Sequence, residues 1–267
     1  MNKLKMRLVF VMIFSFMACQ QAVADSLYQQ WVNQAEPDDK QLQESLKKIK
    51  EHKEIEMRGE LFTPIFHQRS ESPETSKQPV CMACHQKLPH RKNERSRTFM
   101  NRHSQYIACE TCHMRPEKIK LEYQWLAYDG DEAGQMIANP EYQENKLDKE
   151  NRRKKLIPQP GARVAPFYSD RPVLEFKDDE FARKIKADWK DASERERAGI
   201  HARLHMPLEK KGVECQQCHG KENPMLDLIA LGATDEQIEK IQRNTIVRFF
   251  VRFKKDDERI RIKELLK

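Results

Sequence analysis

Long apolar runs are what this 267-residue chain most lacks. The run at residues 8–18 is too short to span a bilayer, which needs about 20 predominantly apolar residues. Only 38% of the residues are hydrophobic and 34% are charged, so the polypeptide alone has little apolar surface from which to build a core. No stretch interleaves aromatic and basic residues in a nucleic-acid-binding pattern, so an excess of 49 basic over 42 acidic residues is no evidence for such a partner. Histidine is missing from residues 114–192. Cysteine is missing from everywhere but Cys19 and three short runs.

Those three runs carry the chemistry. They are Cys81-Met-Ala-Cys84-His85, Cys109-Glu-Thr-Cys112-His113 and Cys215-Gln-Gln-Cys218-His219. A Cys-x-x-Cys-His run reads as a c-type haem attachment site. Two thiols add to the two vinyl groups of one haem, and the next imidazole reaches the iron. Three copies predict three haem c groups, with Cys81, Cys84, Cys109, Cys112, Cys215 and Cys218 as anchors. His85, His113 and His219 are then the proximal iron ligands. A zinc knuckle is the first rival, since paired Cys-x-x-Cys runs also bind zinc. Zinc does not require a histidine after every second cysteine, and all three runs have one. Disulfides are the second rival, and pairs this tightly spaced make a poor structural framework.

The start of the chain has a charged segment, the apolar run and then Ala22-Val23-Ala24, which reads as a secretory signal peptide over residues 1–24. Lipidation at Cys19 is the alternative. The expected location is the periplasm, which suits covalent haem attachment. Losing Lys3, Lys5 and Arg7 with the signal lowers the net charge from +7 to +4. The propionates of three haems would more than offset the remainder. The mature chain is expected not to be transmembrane, with peripheral association with a membrane redox complex left open. Without haem, the chain is expected to be largely unfolded.

The expected fold is mainly α, with little regular structure around stacked haems and a small β-hairpin insertion in the middle. The expected division is 25–128 with a haem pair, 129–192 as a haem-free insertion with weak strands, and 193–267 as a helical region with one haem. Apolar spacing predicts helices over 38–58 and 178–192. Ser193-x-x-Glu196 is a capping box that opens a helix through His201 and His205. Asn223-Pro224 predicts a helix ended by Gly232. Thr234-x-x-Gln237 opens another, with Ile238, Ile241, Thr245 and Phe249 as one stripe. Residues 121–128 and 161–168 read as strands.

Six histidines remain as candidates for the other face of each iron: His52, His67, His90, His103, His201 and His205. His67, His103 and His205 each precede a motif by a short distance and form the leading set. His90 and His201 are the alternatives, and His52 reads as a solvated helix residue. Methionine is the other distal option. Met82, Met100, Met114 and Met206 are nearby, but histidines are in excess.

The three runs resemble those of bacterial periplasmic multihaem cytochromes c. The stretch Leu88-Pro89-His90, Arg97-Thr-Phe-Met-Asn101-Arg-His103 and Ile107-Ala-Cys109-Glu-Thr-Cys112-His113 looks like a haem-pair segment of that group. The resemblance covers residues 81–128 and 201–219. It implies an electron carrier whose partners are redox proteins. Membrane-anchored quinol-oxidising relatives usually have four haems, so direct quinol oxidation is not expected of a chain with three. The alternative is a haem enzyme with one open iron reducing a small nitrogen or sulfur oxyanion, with His90 and Arg91, or His201 and Arg203, beside it.

Overall fold

The structure, a computed structural model, describes residues 25–51, 75–85, 89–90, 99–137 and 161–252, the last four without their side chains. Residues 1–24, expected to be a signal peptide, and His52 and His67 lie outside these residues.

The chain enters through α1 (Leu27–Gln34), capped by the Ser26 hydroxyl, which accepts from the Gln29 N–H. Tyr28 and Val32, four residues apart, face inward together. The Tyr28 backbone N–H donates to Val173, and its hydroxyl donates to the Leu204 carbonyl at 2.9 Å. Next comes α2 (Asp39–Lys50), whose Asp38 and Gln41 close a reciprocal capping box. Lys47, Lys48 and Lys50 in the last turn complement the helix dipole.

The helices α5 (Glu180–Asp191) and α6 (Glu194–His205) follow later in the chain. Between α2 and α5, in order, lie α3 (Asn101–His103), α4 (Cys109–His113) and the sheet. Ser193 and Glu196 form the expected capping box at the start of α6. The corner between α5 and α6 is fastened by Arg197, which donates to the Trp189 and Lys190 carbonyls. α6 packs against both α2 and α1.

The middle region is a four-stranded antiparallel sheet of β1 (Glu122–Ala127), β2 (Met136–Ile137), β3 (Ala162–Tyr168) and β4 (Arg171–Pro172), ordered β2-β1-β3-β4. The two expected strands pair from Glu122↔Phe167 to Ala127↔Ala162. They are not a tight hairpin, because the Asp129-Gly130 turn leads into β2 instead. Gly161 just before β3 has φ +121°, and a Cβ there would meet Asp129 Cβ at 2.7 Å. Only glycine fits both conditions. β3 is buried along nearly its whole length because both its faces are covered. Ala165 and Phe167 belong to one apolar cluster with Ala108, Leu126, Tyr128, Leu174 and Phe176, and Val164 packs with Leu226 and Leu231. The sheet therefore joins segments on either side of residue 128.

Two helix expectations fail. Residues 223–232 form turns: Asn223 is at φ +45°, and the Asp227 carboxylate accepts from the Ile229 and Ala230 N–H groups. An Asp accepting local backbone hydrogen bonds competes with a helix. The apolar stripe from Ile238 is also split. After α7 (Cys215–His219) come α8 (Asp235–Gln242) and α9 (Thr245–Arg252), with Asn244 between them accepting from the Ile246 and Val247 N–H groups.

Candidate functional site

Each Cys-x-x-Cys-His run is a single helical turn. The first is a 3-10 turn, Val80–Ala83, closed by the His85 N–H on the Cys81 carbonyl at 2.9 Å. The other two are α4 and α7, each entered from an extended residue, Ala108 or Glu214, and left through another, Met114 or Gly220. One turn puts the two cysteines, three apart, on the same side. β3 seats the second run: Ala108 N–H and the Thr111 hydroxyl both donate to the Val164 carbonyl, at 2.9 and 2.8 Å.

The runs converge. The Cys81 thiol donates to Glu110 Oε1 at 3.5 Å, joining the first run to the second. Cys218 lies close enough to Cys112 to disfavour its ionisation, joining the second run to the third. None of the six cysteines is disulfide-bonded. Burial, followed by neighbouring thiols, pushes Cys112 up to about 12, and burial pushes Cys218 up to about 11. A neutral thioether suits such positions. Among the described residues no group of three or more His, Cys, Asp or Glu is placed to hold a metal by itself.

The histidines form three facing pairs. His85 and His205 have ring centres 6.1 Å apart, His90 and His113 6.4 Å, and His103 and His219 6.2 Å. Two metal–nitrogen bonds of about 2.0–2.1 Å, with each nitrogen about 1.1 Å from its ring centre, would separate trans imidazoles by about 6.3 Å. All three pairs fit an iron between them, and each contains one motif histidine. The planes differ: His90 and His113 are nearly parallel at 14°, whereas the others cross at 71° and 79°.

The second ring nitrogen is occupied in His90, His103, His113, His205 and His219. Nδ1 donates to the carbonyls of Phe99 from His103, Glu209 from His113, His201 from His205 and Ile241 from His219, at 2.7–2.9 Å. His90 Nδ1 is 3.2 Å from Asn101 Oδ1. A carbonyl can only accept, so these contacts fix the tautomer and leave Nε2 unprotonated, the state a metal would require. Burial lowers the pKa of His90, His103 and His205, favouring the neutral imidazole that a metal requires.

His103 and His205 of the leading set are thus paired with motif histidines, but not with the motifs they directly precede. His90 fills the third pairing. His201 stacks on the His205 ring at 4.1 Å and contacts the buried Ser45 hydroxyl at 3.1 Å. Its pKa is lowered to about 4 by burial, then by His205, Lys48 and His85.

Two residues at the site have no signal in the sequence. Glu110 looks like a spacer inside its motif, yet it is 1% exposed. Tyr128, at the end of a strand pattern, is fully buried with its hydroxyl unpartnered.

The profile of the family described as cytochrome c554 and c-prime matches residues 19–114, a span that holds the first two runs. This similarity supports a c-type cytochrome, a haem-binding protein of electron transfer. No curated protein and no solved structure matches the chain. Among the described residues no helix is long and apolar enough to cross a membrane.

Proposed function

We propose that the chain is an exported, periplasmic trihaem cytochrome c that carries electrons between redox partner proteins. The observation that carries this reading is the set of three histidine pairs at iron-spanning distance. Each haem, when bound, supplies a one-electron ferric–ferrous couple.

The chain's own residues hold and tune that couple. Cys81 and Cys84, Cys109 and Cys112, and Cys215 and Cys218 fasten the groups. His85 with His205, His113 with His90, and His219 with His103 would hold the three irons. The carbonyls of Glu209 and Ile241 orient His113 and His219, and those of Phe99 and His201 orient His103 and His205. With imidazole on both faces, no coordination position is left for substrate, which favours carriage over catalysis. The Cys81–Glu110 hydrogen bond, and the nearness of Cys218 that disfavours Cys112 ionisation, favour a series in which the second haem would lie between the first and third. Partner docking by a carrier of this kind is transient and uses a small interface.

The test is a haem count per chain with the visible spectrum of the dithionite-reduced protein, with and without carbon monoxide. Three haems and bands unmoved by carbon monoxide are expected. A lower count overturns the trihaem reading. A Soret shift with carbon monoxide overturns the closed-iron reading and favours the enzyme.

A further inference from the structure

Glu110 lies where the first and second runs meet, and its carboxyl is almost completely enclosed. Oε1 accepts from the Cys81 thiol at 3.5 Å, and Oε2 is buried with no hydrogen-bond partner. Thioether formation at Cys81 consumes that S–H. The mature protein would therefore leave the carboxyl without its side-chain donor. A carboxylate in such a place is costly and tends to hold a proton instead.

The surrounding groups do not offset this. From α1, Tyr28 faces the site, kept neutral by burial. From the 3-10 turn comes Cys81, and from α4 itself come Cys109 and Cys112. Tyr128, at the end of β1, brings a buried hydroxyl that also lacks a partner. Arg163 on β3 is the cation whose charge reaches the carboxyl, and its guanidinium lies 4.4 Å over the Tyr128 ring. Burial outweighs that charge and raises the Glu110 pKa.

We propose that Glu110 is a redox-linked proton site, taking up a proton when the first or second haem position gains an electron and releasing it when the electron leaves. This rests on the trihaem reading. The electron comes from a reduced partner protein, or from dithionite in the test, and remains on the iron. The proton comes from bulk water: carboxylate plus one proton gives the carboxylic acid, and only an O–H bond forms. An added electron nearby disfavours the carboxylate further, and by linkage the bound proton favours the reduced state equally.

The test is redox potentiometry of the holoprotein and of Glu110→Gln across a pH series, resolving the three couples. In the parent, the potential of the first or second couple is expected to fall as pH rises between the Glu110 pKa of the oxidised and reduced states. In the variant that fall disappears, and the potential stays near the parent's low-pH value. Propionate titration is common to both and cancels in the comparison. The same pH dependence in both proteins overturns the proposal. Should the variant fail to mature, reduced-minus-oxidised infrared spectra of the parent in H2O and D2O decide instead. A protonated-carboxyl stretch that grows on reduction and shifts in D2O supports the proposal, and its absence overturns it. A failed haem count would overturn the trihaem reading itself, whereas a correct count with an unchanged pH dependence overturns the Glu110 proposal alone.

Discussion

Replacing His90 with alanine tests the axial assignment most directly. The substitution is locally clean. Asn101 holds this loop through the His90 backbone, accepting from its N–H and donating to its carbonyl, both at 3.0 Å, and neither contact needs the ring. One iron in three should lose a ligand, so carbon monoxide should bind about one third of the reduced haem. The lost pair is identifiable. Nearly parallel imidazole planes give a low-spin ferric signal of rhombic shape in electron paramagnetic resonance. Planes near perpendicular give a strongly anisotropic signal with a large maximum g value. The parent should therefore show one rhombic species, from the pair at 14°, and two anisotropic ones, from the pairs at 71° and 79°. His90→Ala should remove the rhombic species and spare the other two. Loss of an anisotropic signal, or no reaction with carbon monoxide, would refute the pairing. So would carbon monoxide binding created by His67→Ala, which is expected to be silent.

Tyr28→Phe removes the hydroxyl bonded to the Leu204 carbonyl, next to a distal histidine. It should cost about 1 kcal/mol and lower the melting temperature of the holoprotein by about 2–4 °C, without opening an iron to carbon monoxide. Gly161→Ala forces a side chain onto φ +121° and against Asp129 Cβ, and should cost about 1–3 kcal/mol in urea denaturation. A stability equal to the parent's would contradict the close approach of Gly161 to Asp129. His201 titrates near 4 in the folded chain and near 6.5 when unfolded. As pH falls through that window the unfolded state binds more protons, so the folded state loses stability. His201→Gln should shift acid unfolding, followed by circular dichroism, to lower pH; identical acid limbs would argue against a buried neutral His201.

Local signals were legible where the physics is local. The Ser193 and Thr234 caps both form as their spacing indicates, because each needs only a side chain three residues from its partner. The strands at β1 and β3 were readable from alternation, but the continuous burial of β3 depends on elements that arrive from elsewhere in the chain. The pairing of histidines was not legible. Short spacing suggests that each distal histidine serves the motif it precedes. Loop-closure entropy grows only slowly with length, however, so nearness in sequence gives weak preference. His205 faces His85 and His103 faces His219 across more than a hundred residues of chain. The inward turn of Glu110 was equally hidden, since either spacer of a Cys-x-x-Cys-His run can face the core.

The two long-range histidine pairs interleave: in chain order the residues run 85, 103, 205, 219, and the partners alternate. Joined through metal as proposed, each pair would act as a cross-link closing a loop of over a hundred residues, a constraint of the size for which a disulfide would contribute about 4–5 kcal/mol. Because the loops overlap like crossed chords, neither half of the chain can come away while both links hold. Under that pairing, assembly would have an enforced order as well. As the chain emerges from its amino end, His85 must wait for α6 before its partner exists, so an early-stopped chain would expose a half-coordinated first site to any competing ligand in its surroundings.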